Sequence, residues 1–126
     1  PCFDQPDMKS LFTLTLEVPE AWQAVTNGAI EKTDILSVLG RKLISFRETE
    51  PLSTYLFAFT AGKFIRETYT QDGREISLYH RETDPKKVAQ CPEIASEVFD
   101  ALTWLEDYTA IPYPFAKYDL IILPGF

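Results

Sequence analysis

Residues 92–124, PEIASEVFDALTWLEDYTAIPYPFAKYDLIILP, decide the fold class. They hold the one long helical pattern in the chain and an apolar strand after it. Ile94, Val98, Ala101, Leu102, Leu105 and Tyr108 recur at spacings of three and four, the period that lines one face of a helix. Glu93, Glu97, Asp100 and Glu106 fall on the opposite side. Pro92 stands where a first helical residue tolerates a missing N–H, and Glu93 suits the positive end of the helix dipole. The pattern predicts an amphipathic helix over Pro92–Tyr108, about 17 residues and about 25 Å long. IPYP (111–114) breaks it, and YDLIILP (118–124) reads as a strongly apolar strand.

Outward from the helix the periodicity changes to two. FIRETYTQDGREISLYHRE (64–82) reads as two strands joined at Asp72-Gly73, a dipeptide that tolerates positive φ in a tight hairpin. RETDPKKVAQ (81–90) is polar, holds Pro85 and reads as a connection. KSLFTLTLEVPE (9–20) alternates cleanly, with Phe12, Leu14, Leu16 and Val18 on one side and Thr13, Thr15 and Glu17 on the other. AWQAVTNGAIEKT (21–33) predicts a short strand into an Asn27-Gly28 hairpin turn. DILSVLGRKLISFRETEP (34–51) gives a strand around Leu43–Arg47, while Ile35, Leu36, Val38 and Leu39 suit either a strand or a helical turn. STYLFAFTAGKF (53–64) is apolar on both faces, which predicts a central or covered strand with a bend at Gly62. The composition shifts near residue 75, which places a domain boundary between Thr70 and Ile76.

The totals exclude several classes. The chain has 126 residues, 45% hydrophobic and 25% charged, the balance of one globular domain. A net charge of −7 argues against nucleic-acid binding, which needs clustered Lys and Arg to neutralise phosphates. No apolar run reaches the roughly 20 residues that cross a bilayer. The opening PCFDQPD has neither the basic nor the apolar region of a signal peptide. Cys2 and Cys91 read as two unpaired thiols, neither a disulfide framework nor a metal site. Localisation stays undetermined by these features.

Catalytic chemistry is sparse. His80 is the single histidine, so a His₂Glu zinc site cannot be built from these residues alone. Ser77, His80 and Asp84 have the residue types of a triad, but near neighbours on a strand seldom converge, and His80 reads as a strand-end histidine. The helix carboxylates Glu93, Glu97 and Asp100 read as a solvated face. Asp4, bracketed by prolines, reads as a turn-fixing residue. Tyr55, Phe57, Phe59, Phe64 and Tyr69 suit a sandwich core or, as the alternative, a ligand face. From the residues alone the chain is an acidic β-rich domain with one helix, and an independent binding module is the alternative to a catalytic role.

Three collinear stretches carry a resemblance. PCFDQPDMKSLFTLTLEVPEAWQAVTNG (1–28), LSTYLFAFTAGKF (52–64) and IPYPFAKYDLIILPGF (111–126) resemble segments of the aminopeptidase N family of zinc metallopeptidases. The resemblance spans almost the whole chain and is loosest over Glu31–Glu50; Gln5 and Lys63 depart from the family's usual Glu and Asp. It implies an α+β arrangement, mainly β with one long helix. Residues 1–72 would be the later part of an N-terminal β-sandwich. Residues 73–126 would be the first strand–helix–strand of a thermolysin-like catalytic domain.

The resemblance also implies a parent enzyme that removes N-terminal residues from peptides. Its zinc would activate a water or polarise the scissile carbonyl, a glutamate would act as general base, and acidic side chains would hold the substrate's free amine. The family's GxMEN and HExxH motifs are not in these 126 residues. No catalytic or metal residue carries over, and no cofactor is expected in the fragment. Gly125 and Phe126 would lie beside the substrate cleft. The expectation is an inactive internal fragment that ends in mid-protein and self-associates through uncovered strand edges.

Overall fold

The computed structural model describes residues 5–37, 40–115 and 117–123. The chain divides into two compact units, Pro1–Phe64 and Ile65–Phe126. The described residues are mostly strands with one long helix, as the sequence predicts.

In the first unit, β1 (Lys9–Ser10) pairs antiparallel with β6 (Leu52–Ser53). β2 (Thr15–Pro19), β4 (Ile30–Leu36) and β5 (Arg41–Phe46) form an antiparallel sheet in the order β2-β5-β4. β3 (Gln23–Thr26) pairs antiparallel with β7 (Phe59–Gly62). The alternation of residues 13–18 becomes one inward and one outward face: Leu14 and Leu16 are half-buried and Val18 buried, while Thr13, Thr15 and Glu17 are exposed. Val18, Ile44 and Phe46 from one sheet and Ala24 from the other build one core, flanked by Leu14, Leu16, Trp22 and Ala61. Each large side chain in such a core adds about 1.5–3 kcal/mol. β4 continues as strand through Leu36, which answers half of the open reading there. Val38 and Leu39 lie outside the described residues.

Two expectations for this unit are corrected. The positive-φ residues of the described chain are Gly40, Asp72, Gly73 and Ala110, so Asn27-Gly28 does not make the tight hairpin turn its dipeptide suggests. Gly28 is required instead by close approach, since an added Cβ would lie 2.2 Å from the Arg47 carbonyl oxygen. Asn27 ties β3 to the chain before β7. Its Nδ2 donates to the Leu56 carbonyl at 3.1 Å, and its Oδ1 accepts from the Ala58 N–H at 2.9 Å. Residues 53–64 are not a central strand either. Thr54–Leu56 forms a 3-10 turn, β7 starts only at Phe59, and Tyr55, Leu56 and Phe59 are exposed. The two-faced apolar pattern is satisfied locally: Phe57 stacks on Phe12 at 4.5 Å, and Phe64 is buried.

In the second unit β8 (Ile65–Gln71) and β9 (Arg74–His80) form the hairpin expected from Asp72-Gly73, whose φ values are +51° and +78°. β10 (Tyr118–Ile121) pairs parallel with β9 on its other side, giving the order β10-β9-β8. A parallel pair needs a crossover, and the long helix α2 (Cys91–Thr109) supplies it. The helix starts one residue before and ends one residue after the predicted span. It stops at Ala110, in left-handed conformation; Ile111 stands before Pro112, a position that disfavours helical backbone. The connection 81–90 holds one further helical turn, α1 (Pro85–Val88), which the sequence reading treats as plain linker. Asp84 caps it by accepting from the Lys86 N–H at 2.9 Å, and Pro85 begins it, an N-terminus signature available in the sequence.

The buried stripe of α2 is a second correction of detail. Cys91, Ala95, Phe99 and Leu102 are buried against Ile76 and Leu78, and Ile94 and Val98 flank them. The predicted stripe is rotated from this one by about a quarter-turn at 100° per residue. Leu105 and Tyr108 are exposed, and Tyr108 stacks on the exposed Trp104 at 5.1 Å. Glu106, expected on the polar side, is half-buried and accepts from Arg74 Nη2 and from the Tyr113 N–H, each at 2.6 Å.

Candidate functional site

The polar groups that matter in the second unit sit at inward positions of its elements. β8 directs Ile65, Glu67 and Tyr69 toward the same face on which β9 carries Ile76, Leu78 and His80; the register pairs Ile65 with His80, Glu67 with Leu78 and Tyr69 with Ile76. That face carries the core against α2. Glu67 and His80 are thus diagonal neighbours, and the first residue of α2, Cys91, reaches both. One carboxylate oxygen, the imidazole nitrogen and the thiol sulfur all lie within 4.8 Å of one another. His80 and Cys91 are buried, and the Glu67 side chain keeps 27% of its surface accessible, which leaves the group reachable from one side.

Hydrogen bonds orient this cluster. His80 Nε2 lies 3.3 Å from Glu67 Oε1, and His80 Nδ1 accepts from the Glu82 N–H at 3.2 Å. Because Nδ1 faces a donor, the neutral ring carries its proton on Nε2 and gives it to Glu67. Tyr69 donates its hydroxyl to the other oxygen, Oε2. Burial, reinforced by that bond and the Glu67 charge, pushes the Tyr69 phenol above its ordinary range, so it stays a donor. Burial also pushes the Cys91 thiol up, and the Glu67 charge adds to this. A helix N-terminus favours a thiolate, but here desolvation outweighs it. A thiol held protonated beside a histidine whose Nε2 carries the proton is no activated nucleophile. What the cluster offers is three convergent ligand atoms of types that bind metals.

The loop beyond His80 is fixed by Glu82. Its Oε1 accepts from the Thr83 and Asp84 N–H groups at 2.9 and 3.0 Å, and its Oε2 accepts from Lys87 Nζ at 3.1 Å. The Asp84 and Lys87 bonds, with the Thr83 N–H, lower its carboxyl to about 2.

The triad suggested by residue type does not form. Ser77 points to the opposite face of β9, where its Oγ accepts from Arg66 Nε at 3.1 Å and Nη2 at 2.9 Å. Asp84 is engaged in capping α1. Glu93, Glu97 and Asp100 are exposed, as expected of a solvated face. The aromatic set does not make one surface: Tyr69 packs against the second unit's core, whereas Tyr55 and Phe59 are exposed in the first. Asp4, Cys2, Gly125 and Phe126 lie outside the described residues. Cys91 is unpaired. The Glu67–His80–Cys91 juxtaposition is absent from the sequence reading because three separate elements make it. A signal was present: Glu67 on β8 and His80 on β9 stand in register with the inward apolar positions of their strands.

Comparison with known proteins adds the following. Residues 1–56 match the peptidase M1 N-terminal domain. The whole chain aligns with Aminopeptidase M1-A of Oryza sativa subsp. japonica at 35% identity, covering 14% of that protein. It aligns over its full length with the glutamyl aminopeptidase of Sus scrofa at 30% identity and with Aminopeptidase M1 of Arabidopsis thaliana at 34%, covering 13% and 14% of them. The chain therefore spans about one seventh of the curated relatives it matches. No helix of the described residues is long and apolar enough to cross a membrane.

Proposed function

From the chain's membership of the M1 (aminopeptidase N) family, we propose that it is a stretch of a zinc-dependent aminopeptidase that hydrolyses N-terminal residues from peptides. The observation that carries this reading is the full-length alignment to aminopeptidases from plants and a mammal, together with the N-terminal-domain match over residues 1–56. In this reading the first unit belongs to the later part of the β-sandwich domain and the strand–helix–strand from residue 73 opens the catalytic domain, with β8 packed beside β9 in the second unit. The shared core of the two sheets in the first unit is the packing a sandwich needs. The parallel β9–α2–β10 crossover is the strand–helix–strand expected at the start of the second domain.

The residues here do not fit the family's zinc. A His₂Glu set needs two histidines, and the chain has one. These 126 residues accordingly contribute a scaffold, with Gly125 and Phe126 bordering the substrate cleft in the parent, and do not hydrolyse peptides alone. The edge strands β2, β4, β8 and β10 would favour self-association of the isolated chain.

The experiment compares this chain with one extended by the gene's following residues. Zinc content and hydrolysis of aminoacyl-anilide substrates are measured for both. The extended protein is expected to bind one catalytic zinc and to cleave, and the 126-residue chain to leave the substrate intact. An extended protein that folds but neither binds zinc nor cleaves sinks the reading.

A further inference from the structure

We propose that Glu67, His80 and Cys91 form a three-ligand site for a soft divalent cation of the zinc type, with a fourth position open to solvent beside Glu67. This inference rests on the cluster's geometry and is independent of the peptidase reading.

The donor set is one carboxylate oxygen, one imidazole nitrogen and one thiol sulfur, a mixture suited to zinc rather than to magnesium or calcium. The His80 Nε2 to Glu67 Oε1 separation is 3.3 Å. An N–H···O bond from a neutral ring that is free to close settles at about 2.7–3.2 Å. Two ligands that share one tetrahedral ion at about 2.0–2.1 Å stand about 3.3 Å apart. The third atom, Cys91 Sγ, lies within 4.8 Å of both, so a small inward movement completes the set. Ligating carboxylates carry outer hydrogen bonds that orient them, and Tyr69 supplies one to the far oxygen of Glu67. The partly accessible Glu67 side chain gives an entry path into an otherwise buried site.

The protons balance as follows. The thiol of Cys91 releases its proton to solvent when sulfur binds the ion. The proton on His80 Nε2 moves to Nδ1, freeing the Nε2 electron pair for the metal. Nδ1–H would then oppose the Glu82 N–H that it now accepts from at 3.2 Å, so the Glu82 peptide has to turn away on loading. Binding therefore displaces the thiol proton and breaks the Glu82 N–H bond to His80 Nδ1.

The test uses the untagged 126-residue chain and Co²⁺ as the spectroscopic probe, then Zn²⁺ as the competitor. We expect a thiolate-to-cobalt charge-transfer band that saturates at one ion per chain and is abolished by zinc. The Glu82 amide should exchange faster in the loaded protein. Cys91→Ser and His80→Gln should lose the band. Tyr69→Phe should keep it and weaken affinity about 10–100-fold, the usual effect of an outer hydrogen bond. A wild-type chain with no band, or a band unchanged in Cys91→Ser, overturns the site. The wild-type titration decides even if a ligand variant fails to fold, which circular dichroism detects.

Discussion

A methyl group added at Gly28 would meet the Arg47 carbonyl oxygen at 2.2 Å, and that atom is backbone. Gly28→Ala is therefore expected to destabilise the first unit by about 1–3 kcal/mol in urea unfolding, the usual cost of overpacking. Ala110 has the opposite fault: it sits at φ +54° with a Cβ that the left-handed region disfavours. Ala110→Gly should stabilise the second unit by about 0.5–1 kcal/mol, and a lower urea midpoint would refute it. Dipeptide signals were uneven guides at this scale. Asp72-Gly73 was legible because its requirement is local, two positive φ values in sequence. Asn27-Gly28 misled because its glycine answers a neighbour 19 positions along the chain, and Asn27 bonds to residues 56 and 58. No local pattern reports such a partner.

For elements, period was reliable and phase was not. The 3.6-residue pattern located α2 to within one residue at each end. Its buried face was misassigned because Leu105 and Tyr108 extend the apolar pattern over a surface that stays exposed among the described residues. Leu102→Ala should cost about 2–5 kcal/mol of stability. Leu105→Ala should change it by about 0.5 kcal/mol or less. Equal losses in chemical unfolding would contradict the observed rotation. The helix's far end is tied by Glu106, whose carboxyl is held below the ordinary 4.5 by its bonds to Arg74 and the Tyr113 N–H. Glu82 is lowered to about 2 in the same unit. A depressed carboxyl contributes stability that is present above its unfolded value and lost as pH falls through its folded one. Urea midpoints should therefore fall as pH drops from about 4.5 toward about 2. Glu106→Gln should flatten part of that slope; an unaltered profile would show that Glu106 adds nothing to it.

On the scale of the whole molecule, the division at Phe64 keeps β8 with β9 and the helix. Ile76, at the centre of the second core, has Tyr69 opposite it on β8 and Tyr118 on β10. A chain of residues 65–126 should retain cooperative thermal unfolding monitored at the helix signal. A chain of residues 73–126, which lacks β8, should lose it. Retention of a cooperative transition in the shorter chain would show that β8 is dispensable to the core. Fold class was readable because it depends on element types and their order. The Glu67–His80–Cys91 cluster was not, since it depends on register across a hairpin and the angle at which a helix begins.

The strand order β10-β9-β8 also sets a timetable. β8 meets β9 across a two-residue turn, a closure that takes about 1–10 μs in isolated hairpins. β10 meets β9 across a connection that includes the whole of α2, so its closure is the slower of the two. Until then the side of β9 that will receive β10 is an open hydrogen-bonding edge. The interval between the two closures is the period in which a newly made chain is most exposed to pairing with the wrong strand.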